Sequence, residues 1–340
     1  MKILFISHAF YPEIGGIEVN SEILANQFTA LGAQVKVVTW TADLGVKAFD
    51  YEVTRNPSIL TLFKLFIWSG IVFENNPTLK IAWLNIFFGR PRVVAIRTWI
   101  RRMNGKKSFT DRLKKIWVNA ASAVIAISEA VKSDTSTKAI VIGNPYRSTL
   151  FKSNTEHTSR KNDFIFLGRL VSDKGADMCI ALLHQLKEKF GEKCTLSIAG
   201  DGVEMSALQN MAKKYKLEKS VRFLGVLNGK ELVQQLNQHR FILVPSRWEE
   251  PFGNVALEGM ACGCIPIVSN GGGLPDAVGN AGIIFNRNSV EDLTQKTYAI
   301  LSNTAAQKTL REKAQKHLYN HTQELIGQRY FEILLKATKL

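Results

Sequence analysis

The 340-residue sequence has no uninterrupted apolar run of the roughly 18 to 20 residues that a bilayer-spanning helix needs. Its nearest candidate, Ile59 to Phe73, is broken by Lys64, Ser69 and Gly70, and reads as a buried helix followed by a strand. The N-terminus MKILFISHAF has a single lysine before a strand pattern that runs into His8 and Pro12. It lacks a small-residue cleavage site, so no secretory leader is expected and the cytoplasm is the expected compartment. Cysteine is scarce: Cys179, Cys194, Cys262 and Cys264 are the only four. Cys262 and Cys264 stand too close for a zinc knuckle or a C-x-x-C redox pair, and no histidine cluster accompanies them; small buried thiols and no metal are expected. The dinucleotide fingerprint is also absent. Gly15-Gly16 does not extend to G-x-G-x-x-G, and no acid stands at the tip of the strand VVTWT, which argues against a nicotinamide or flavin cofactor.

Negative charge is in short supply. Lys and Arg number 44 against 29 Asp and Glu, a net charge of +15. Residues 1 to 150 hold 19 basic and 10 acidic side chains (+9), and the remainder 25 and 19 (+6). From Arg90 to Lys115 there are ten basic residues opposed only by Asp111. Nucleic acid, an anionic membrane surface and simple solubility each account for such an excess. No nucleic-acid-binding module is recognisable, so nucleic acid is not an expected partner.

What is present is an alternation of apolar strands with loops and helices, at a length that suits two domains. KILFIS (2 to 7), the loop HAFYPEIGG, a helix from Ile17 to Leu31 and a strand from Val35 to Thr39 make a Rossmann-like opening. A helix over Ile81 to Phe88, a strand over Arg92 to Ile96, a helix over Phe109 to Ala120 and a strand over Val124 to Ile127 follow; Ser128-Glu129 is a helix cap. The polar stretch Lys152 to Asp163 reads as a linker, placing a domain boundary near residue 150. The same alternation then restarts at Phe164, and Lys313 to Lys339 is helical in pattern.

The chain is organised around FILVPSRWEEPFGNVALEGMACGCIPIVSNGGGLP (241 to 275): strand, loop, helix, strand. In a parallel sheet, ligands collect where a loop leaves a strand's carboxyl end and helix N-termini converge. This loop carries Glu249, Glu250 and Gly253, with Glu258 about one turn into the helix, so that seven residues separate Glu250 from Glu258. Carboxylates accept from sugar hydroxyls while a helix start favours an anion, which suits a polyhydroxylated ligand bearing phosphate. Acids also gather at helix starts simply to offset the dipole, and this stretch alone leaves both readings open. Arg169 and Lys174 lie five apart in a second strand-to-helix loop that ends at Gly175, where two cations fit a diphosphate.

GGIE (15 to 18), LGRLVSDKG (167 to 175), IAGDG (198 to 202), VRFLG (221 to 225), PSRWEEPFGNVALEGMACGCIP and GGGLPD resemble glycosyltransferase family 4 in the right order over nearly the whole chain. The resemblance implies an α/β GT-B architecture of two Rossmann-like domains facing across a cleft: an acceptor-binding domain over 1 to 150, a nucleotide-sugar-binding domain over 151 to 315, and a helix over 316 to 340 crossing back. It also implies transfer from a nucleotide sugar with retention and without an essential metal. By the same resemblance, Arg169 and Lys174 would hold the diphosphate, Glu258 the ribose and Glu250 the donor sugar, with backbone of Phe252, Gly253 and Asn254 fixing sugar and phosphate. Gly15 and Gly16 would bring backbone close to the diphosphate. Where many members carry a histidine after an N-domain strand, this sequence has Arg97, and the common I-P-N-G-V-D segment appears as Ile142-Gly143-Asn144-Pro145-Tyr146-Arg147.

The expected function is therefore a retaining glycosyltransferase acting from a nucleotide-diphosphate sugar on a glycan or lipid-linked acceptor in cell-surface polysaccharide or glycolipid synthesis. Its rivals are a nucleotide-sugar hydrolase or epimerase and a non-catalytic nucleotide-sugar or glycan binding protein. His8, Arg97, Trp99 and Arg101 are candidates for the acceptor side. Arg97, Arg101 and Arg102, interleaved with Trp99 and Ile100, suit an anionic membrane leaflet and an anionic acceptor equally well.

Overall fold

The computed structural model of the chain describes residues 1–13, 15–42, 47–101, 108–154 and 160–339. It divides into two compact units, Met1–Pro145 with His321–Leu340, and Tyr146–Asn320.

The first unit opens with β1 (Lys2–Ile6), α1 (Gly16–Ala30), β2 (Gln34–Thr39), β3 (Glu52–Arg55), α2 (Ile59–Trp68) and β4 (Ile71–Asn75). It continues through α3 (Leu79–Ala82), α4 (Asn85–Phe88), β5 (Arg92–Ile96), α5 (Phe109–Asn119), β6 (Ala123–Ala126), α6 (Glu129–Thr135) and β7 (Ile140–Val141). The strands form one parallel sheet in the order β3-β2-β1-β4-β5-β6-β7. Because side chains alternate along a strand, the sheet feeds two cores. Ile3, Phe5, Ile71 and Phe73 pack with Leu24, Ala25 and Phe28 of α1. Leu4, Ile6 and Val72 pack with α2, α3 and α4 on the opposite face, where Trp117 of α5 joins them. Side-chain caps start several helices: the Ser58 and Ser128 hydroxyls accept from the backbone N–H of Thr61 and Val131, and Ser108 with Asp111 forms a full capping box.

Two expectations need correction here, and one strand was not expected. The apolar run from Ile59 is not a buried helix: α2 buries Leu62, Leu65 and Phe66, while Ile59, Leu60 and Ile67 are 63%, 77% and 63% exposed. A helix lying on one face of a sheet can bury only one stripe, and nothing among the described residues covers the other. The helix expected over Ile81 to Phe88 is two single turns, α3 and α4, separated at Trp83 and Leu84. The short edge strand β3, EVTR, has no apolar run to announce it.

The second unit contains β8 (Asn162–Leu167), α7 (Ala176–Phe190), β9 (Leu196–Ala199), α8 (Met205–Lys214), β10 (Val221–Gly225), α9 (Gly229–Gln238) and β11 (His239–Val244). Then come α10 (Asn254–Ala261), β12 (Ile265–Ser269), α11 (Leu274–Val278), β13 (Ile283–Phe285), α12 (Val290–Leu301) and α13 (Thr304–Tyr319). Its parallel sheet runs β10-β9-β8-β11-β12-β13. Phe164, Phe166, Phe241 and Leu243 face α7, α8 and α12; Ile165, Ile242, Val244 and Val268 face α9, α10, α11 and α13. All four cysteines are buried free thiols.

The helical C-terminal pattern is broken at residues 320–322, and α14 (Gln323–Ala337) follows α13 as a separate helix. It packs in the first unit against α1, so closely that a Cβ on Gly327 would lie 2.5 Å from the Cβ of Gln27. Its buried Tyr330 and Leu334 complete the core beneath that helix.

Candidate active site

In the second sheet β8 lies between β9 and β11, so the connections from this point leave toward opposite faces and open a crevice at the carboxyl ends of β8 and β11. The loops that follow these two strands, 168–175 and 245–253, carry the polar motifs found in the sequence. They are locked to each other by backbone. Gly175 has φ 72°, and a Cβ there would come within 2.3 Å of the Pro245 carbonyl oxygen, so only glycine permits this approach. The backbone N–H groups of Arg247 and Trp248 both donate to the Asp173 carbonyl, at 2.8 and 3.1 Å. The Arg247 guanidinium grips Asp177 at the start of α7 with two bonds of 2.6 Å and donates to the Ser172 carbonyl at 3.1 Å. This paired contact holds the guanidinium's pKa above its ordinary value.

Lys174, at the end of a short 3-10 turn, forms an ion pair with Glu250, and both side chains are largely shielded from solvent. The Ser246 hydroxyl donates to the same Glu250 oxygen at 2.8 Å. The Glu250 carbonyl accepts from Gly273 N–H at 2.7 Å, tying this loop to the glycine run after β12. Gly272, with φ 61°, passes so near that a Cβ would meet the Glu250 carbonyl oxygen at 2.2 Å. Glu249 turns the other way, to Arg287 at 3.1 Å. Arg169 is exposed and makes no hydrogen bond or ion pair among the described residues.

Phe252 is buried, Gly253 (φ 132°) is the N-cap of α10, and Asn254 is its first residue; as a glycine, the N-cap residue brings no side chain to cap this helix start. Glu258 follows one turn later. Burial raises its carboxyl pKa from 4.5 to about 7, against a partial opposing pull from Arg147. Lys174 and Glu250 thus meet at the carboxyl edge of β8 and β11, with Arg169 on the same β8 loop and with Gly253 and Glu258 at the start of the helix that follows the β11 loop. Two cations, two carboxylates and a helix N-terminus are the donor and acceptor types that a sugar diphosphate requires.

The remaining candidates lie in the first unit. Gly15 is the N-cap of α1 and Gly16 its first residue. His8 follows β1, where burial lowers its pKa although Glu18 and Glu13 pull the other way. Arg97 is 4% exposed, and the groups that meet its guanidinium are neutral: Nε donates to Asn75 Oδ1 at 2.6 Å, Nη1 to Asn144 Oδ1 at 2.9 Å, and the Tyr330 ring lies 5.1 Å away. Asn75 in turn donates to Ser21 at 2.6 Å, so a polar chain runs inside the unit from α1 to the carboxyl ends of β4 and β5. Arg101 is exposed and stacks over Trp99 at 4.6 Å. Arg102 lies outside the described residues. Among the described residues no group of three or more His, Cys, Asp or Glu is placed to hold a metal ion.

The sequence reading missed the Arg247–Asp177 clamp, the Ser246 contact to Glu250, Arg147 near Glu258 and the asparagines on Arg97. Only the arginine of PSRWEE, adjacent to the recognised carboxylates, could have drawn attention.

Residues 147–317, half of the chain, match the family model described as glycosyl transferases group 1. The phosphatidylinositol N-acetylglucosaminyltransferase gpi3 subunit of Schizosaccharomyces pombe is 25% identical over 338 residues, covering 87% of this chain and 72% of that protein. Mycobacterium tuberculosis glycogen synthase is 35% identical over 146 residues, 42% of this chain and 35% of that protein. Among solved structures, Anabaena Alr3699/HepE in complex with UDP superposes with a TM-score of 0.82 at 22% identity, covering 99% of this chain and 100% of that one. By the family match, the chain belongs to the glycosyl transferases group 1: it is a glycosyltransferase, with the two Rossmann-like parallel sheets of the GT-B fold.

Proposed function

We propose that the chain is a retaining family 4 glycosyltransferase that moves a sugar from a nucleoside-diphosphate sugar to a glycan or lipid-linked acceptor. The observation that carries this reading is the Lys174–Glu250 pair joining the loops after β8 and β11, with Glu258 one turn into the helix that follows and unpartnered Arg169 on the same loop as Lys174. The Lys174–Glu250 pair is the resting arrangement. A diphosphate draws Lys174 away and recruits Arg169 as a bidentate donor, which leaves Glu250 to accept from hydroxyls of the donor sugar. Glu258 accepts from the ribose hydroxyls. Backbone of Phe252, Gly253 and Asn254 fixes sugar and phosphate.

In a retaining transfer the acceptor oxygen bonds the anomeric carbon on the face from which the diphosphate departs. The anomeric C–O bond breaks with its electron pair going to the diphosphate, and the acceptor proton passes to the leaving phosphate oxygen. Arg169 and Lys174 stabilise the charge that develops there. The name of the fission-yeast relative supports a lipid acceptor, and the UDP in the Anabaena neighbour makes uridine the first base to try. A lipid-linked acceptor also places the protein at the cytoplasmic face of an anionic membrane.

The test is a thermal-shift panel of UDP, GDP and ADP sugars on the wild type and Glu258→Ala, since a ligand bound only by the folded state raises the melting point. One nucleotide class should stabilise the wild type and lose that effect in the variant. No stabilisation by any class contradicts the proposal, as does release of free sugar from the donor at the same rate with and without acceptor.

A further inference from the structure

The sequence carries its strongest basic excess in a region where the fold also exposes apolar side chains. Of the 17 large hydrophobic side chains exposed among the described residues, ten lie between Ile59 and Ile116. They stand on helices of a single face of the first sheet, since α2, α3, α4 and Trp117 of α5 share one core with Leu4, Ile6 and Val72. On α2 the spacing of Leu60, Phe63 and Ile67 keeps them on one stripe, 77%, 39% and 63% exposed. Ile86 and Phe87 of α4 are 69% and 70% exposed, and Phe63 of α2 packs edge-on against Phe88 beside them. On α5, Phe109, Leu113 and Ile116 repeat the pattern at 75%, 40% and 60%. Surface hydrophobics scattered singly need no explanation, but two helical stripes and the exposed Ile86–Phe87 pair, on helices that cover one face of the same sheet, mark a docking surface.

Charge identifies the occupant. Between Ile59 and Asn119 the sequence has 12 Lys and Arg against two acids, Glu74 and Asp111. Both acids are spent inside: Glu74 is fully buried against Arg92 and Trp117, and Asp111 caps α5. Between Ile59 and Asn119 the described residues therefore offer exposed cations such as Lys64, Lys80 and Arg112 beside the apolar side chains and no exposed carboxylate, while Asp134 of α6, next to α5, is paired with Lys115. A protein partner would have to match apolar stripes with acids alone. A bilayer with anionic headgroups over acyl chains meets both at once. Among the described residues no helix is long and apolar enough to cross a membrane, so the contact is interfacial.

We infer that the face of the first unit formed by α2, α4 and α5 docks on an anionic lipid bilayer, seating the apolar stripes at the headgroup boundary and the lysines and arginines on lipid phosphates. This deepens the proposed function and rests on its lipid-linked acceptor. It moves the membrane contact away from Arg97, which is buried, and onto helices whose exposed residues make no catalytic contact.

Vesicle flotation tests the inference with full-length protein, using phosphatidylcholine alone and phosphatidylcholine with about one-third phosphatidylglycerol. The variant combines Leu60→Ser, Phe87→Ser, Phe109→Ser and Ile116→Ser, positions 60% to 77% exposed, and its melting temperature reports whether it folds. A second variant, Lys64→Gln with Arg112→Gln, leaves the apolar stripes intact. The wild type should float with the anionic vesicles and lose affinity with added salt. The serine variant should partition about ten-fold less or worse, and the glutamine variant should lose the preference for anionic lipid. Nucleoside-diphosphate stabilisation should be unchanged in both. Flotation of the serine variant equal to wild type overturns the inference, as does a wild type that ignores the vesicles but forms a dimer the serine variant abolishes. Absence of nucleotide stabilisation in the wild type counts instead against the proposed function.

Discussion

Replacing Glu258 by Gln should change stability in a pH-dependent way. In the folded state burial holds this carboxyl at a pKa of about 7, against an ordinary 4.5 when the chain is unfolded. The folded state therefore binds the proton more tightly. The sign follows: between these values the folded state holds more protons, so stability is greatest below pH 4.5 and is lost as pH rises toward 7, levelling off above it. The interval corresponds to on the order of 3 kcal/mol, at about 1.4 kcal/mol per pH unit. Gln has nearly the same shape and never ionises. Glu258→Gln should thus be more stable than wild type by about 3 kcal/mol near pH 8.5, and by under about 1 kcal/mol near pH 5. His8 and His317, whose pKa values burial lowers, and His239, lowered to about 4, titrate over an overlapping range but are common to both proteins and cancel in the difference. Urea unfolding of both proteins at the two pH values measures it. A stability difference that does not change with pH refutes the assignment of an ionisation penalty to Glu258. The same replacement should weaken nucleotide binding most above pH 7, where the wild-type carboxylate is ionised and accepts best.

Arg247→Ala should change global stability by no more than about 1 kcal/mol, because the Arg247–Asp177 pair is about one-third exposed. It should nevertheless raise the donor KM by about three- to ten-fold with a smaller effect on kcat, by loosening the loop that places Lys174; steady-state kinetics checks the split. Gly175→Ala should cost about 3 kcal/mol or more in chemical denaturation, since it combines a left-handed backbone with a 2.3 Å approach to the Pro245 carbonyl. Arg97→Ala should cost about 2–5 kcal/mol by leaving the Asn75 and Asn144 side-chain oxygens buried without their donor. Arg97→Lys, lacking the guanidinium fork, should not restore the loss in the same denaturation measurement.

Much of the fold was legible because strands buried on both faces of a parallel sheet read as short apolar runs. FILV and IPIV mark β11 and β12 directly, and the loop of acids between them marks the site. What escaped has equally physical reasons. ILTLFKLFIW is apolar nearly all round, so its pattern does not say which stripe meets the sheet and which is left uncovered. β3 is a four-residue edge strand with Val53 as its one apolar residue, and carries no such run. Glu250 and Glu258 were legible as a pair because seven residues separate them in one continuous loop-to-helix stretch. Lys174 and Glu250, or Arg247 and Asp177, are brought together by the adjacency of β8 and β11 across 70 or more residues, which no local pattern records. Arg97 looked like a surface cation in a basic patch. Only the fold shows it turned inward onto asparagines.

The central claim is that Arg169 and Lys174 hold the diphosphate of a nucleotide-sugar donor. Calorimetric titration of the nucleoside diphosphate selected by the thermal-shift panel, into wild type and into Arg169→Ala with Lys174→Ala, tests it most directly. Losing two charge-assisted contacts of about 1.5–3 kcal/mol each predicts binding weakened by roughly a hundred-fold or more in the double variant. Equal affinity in the two proteins would contradict the account.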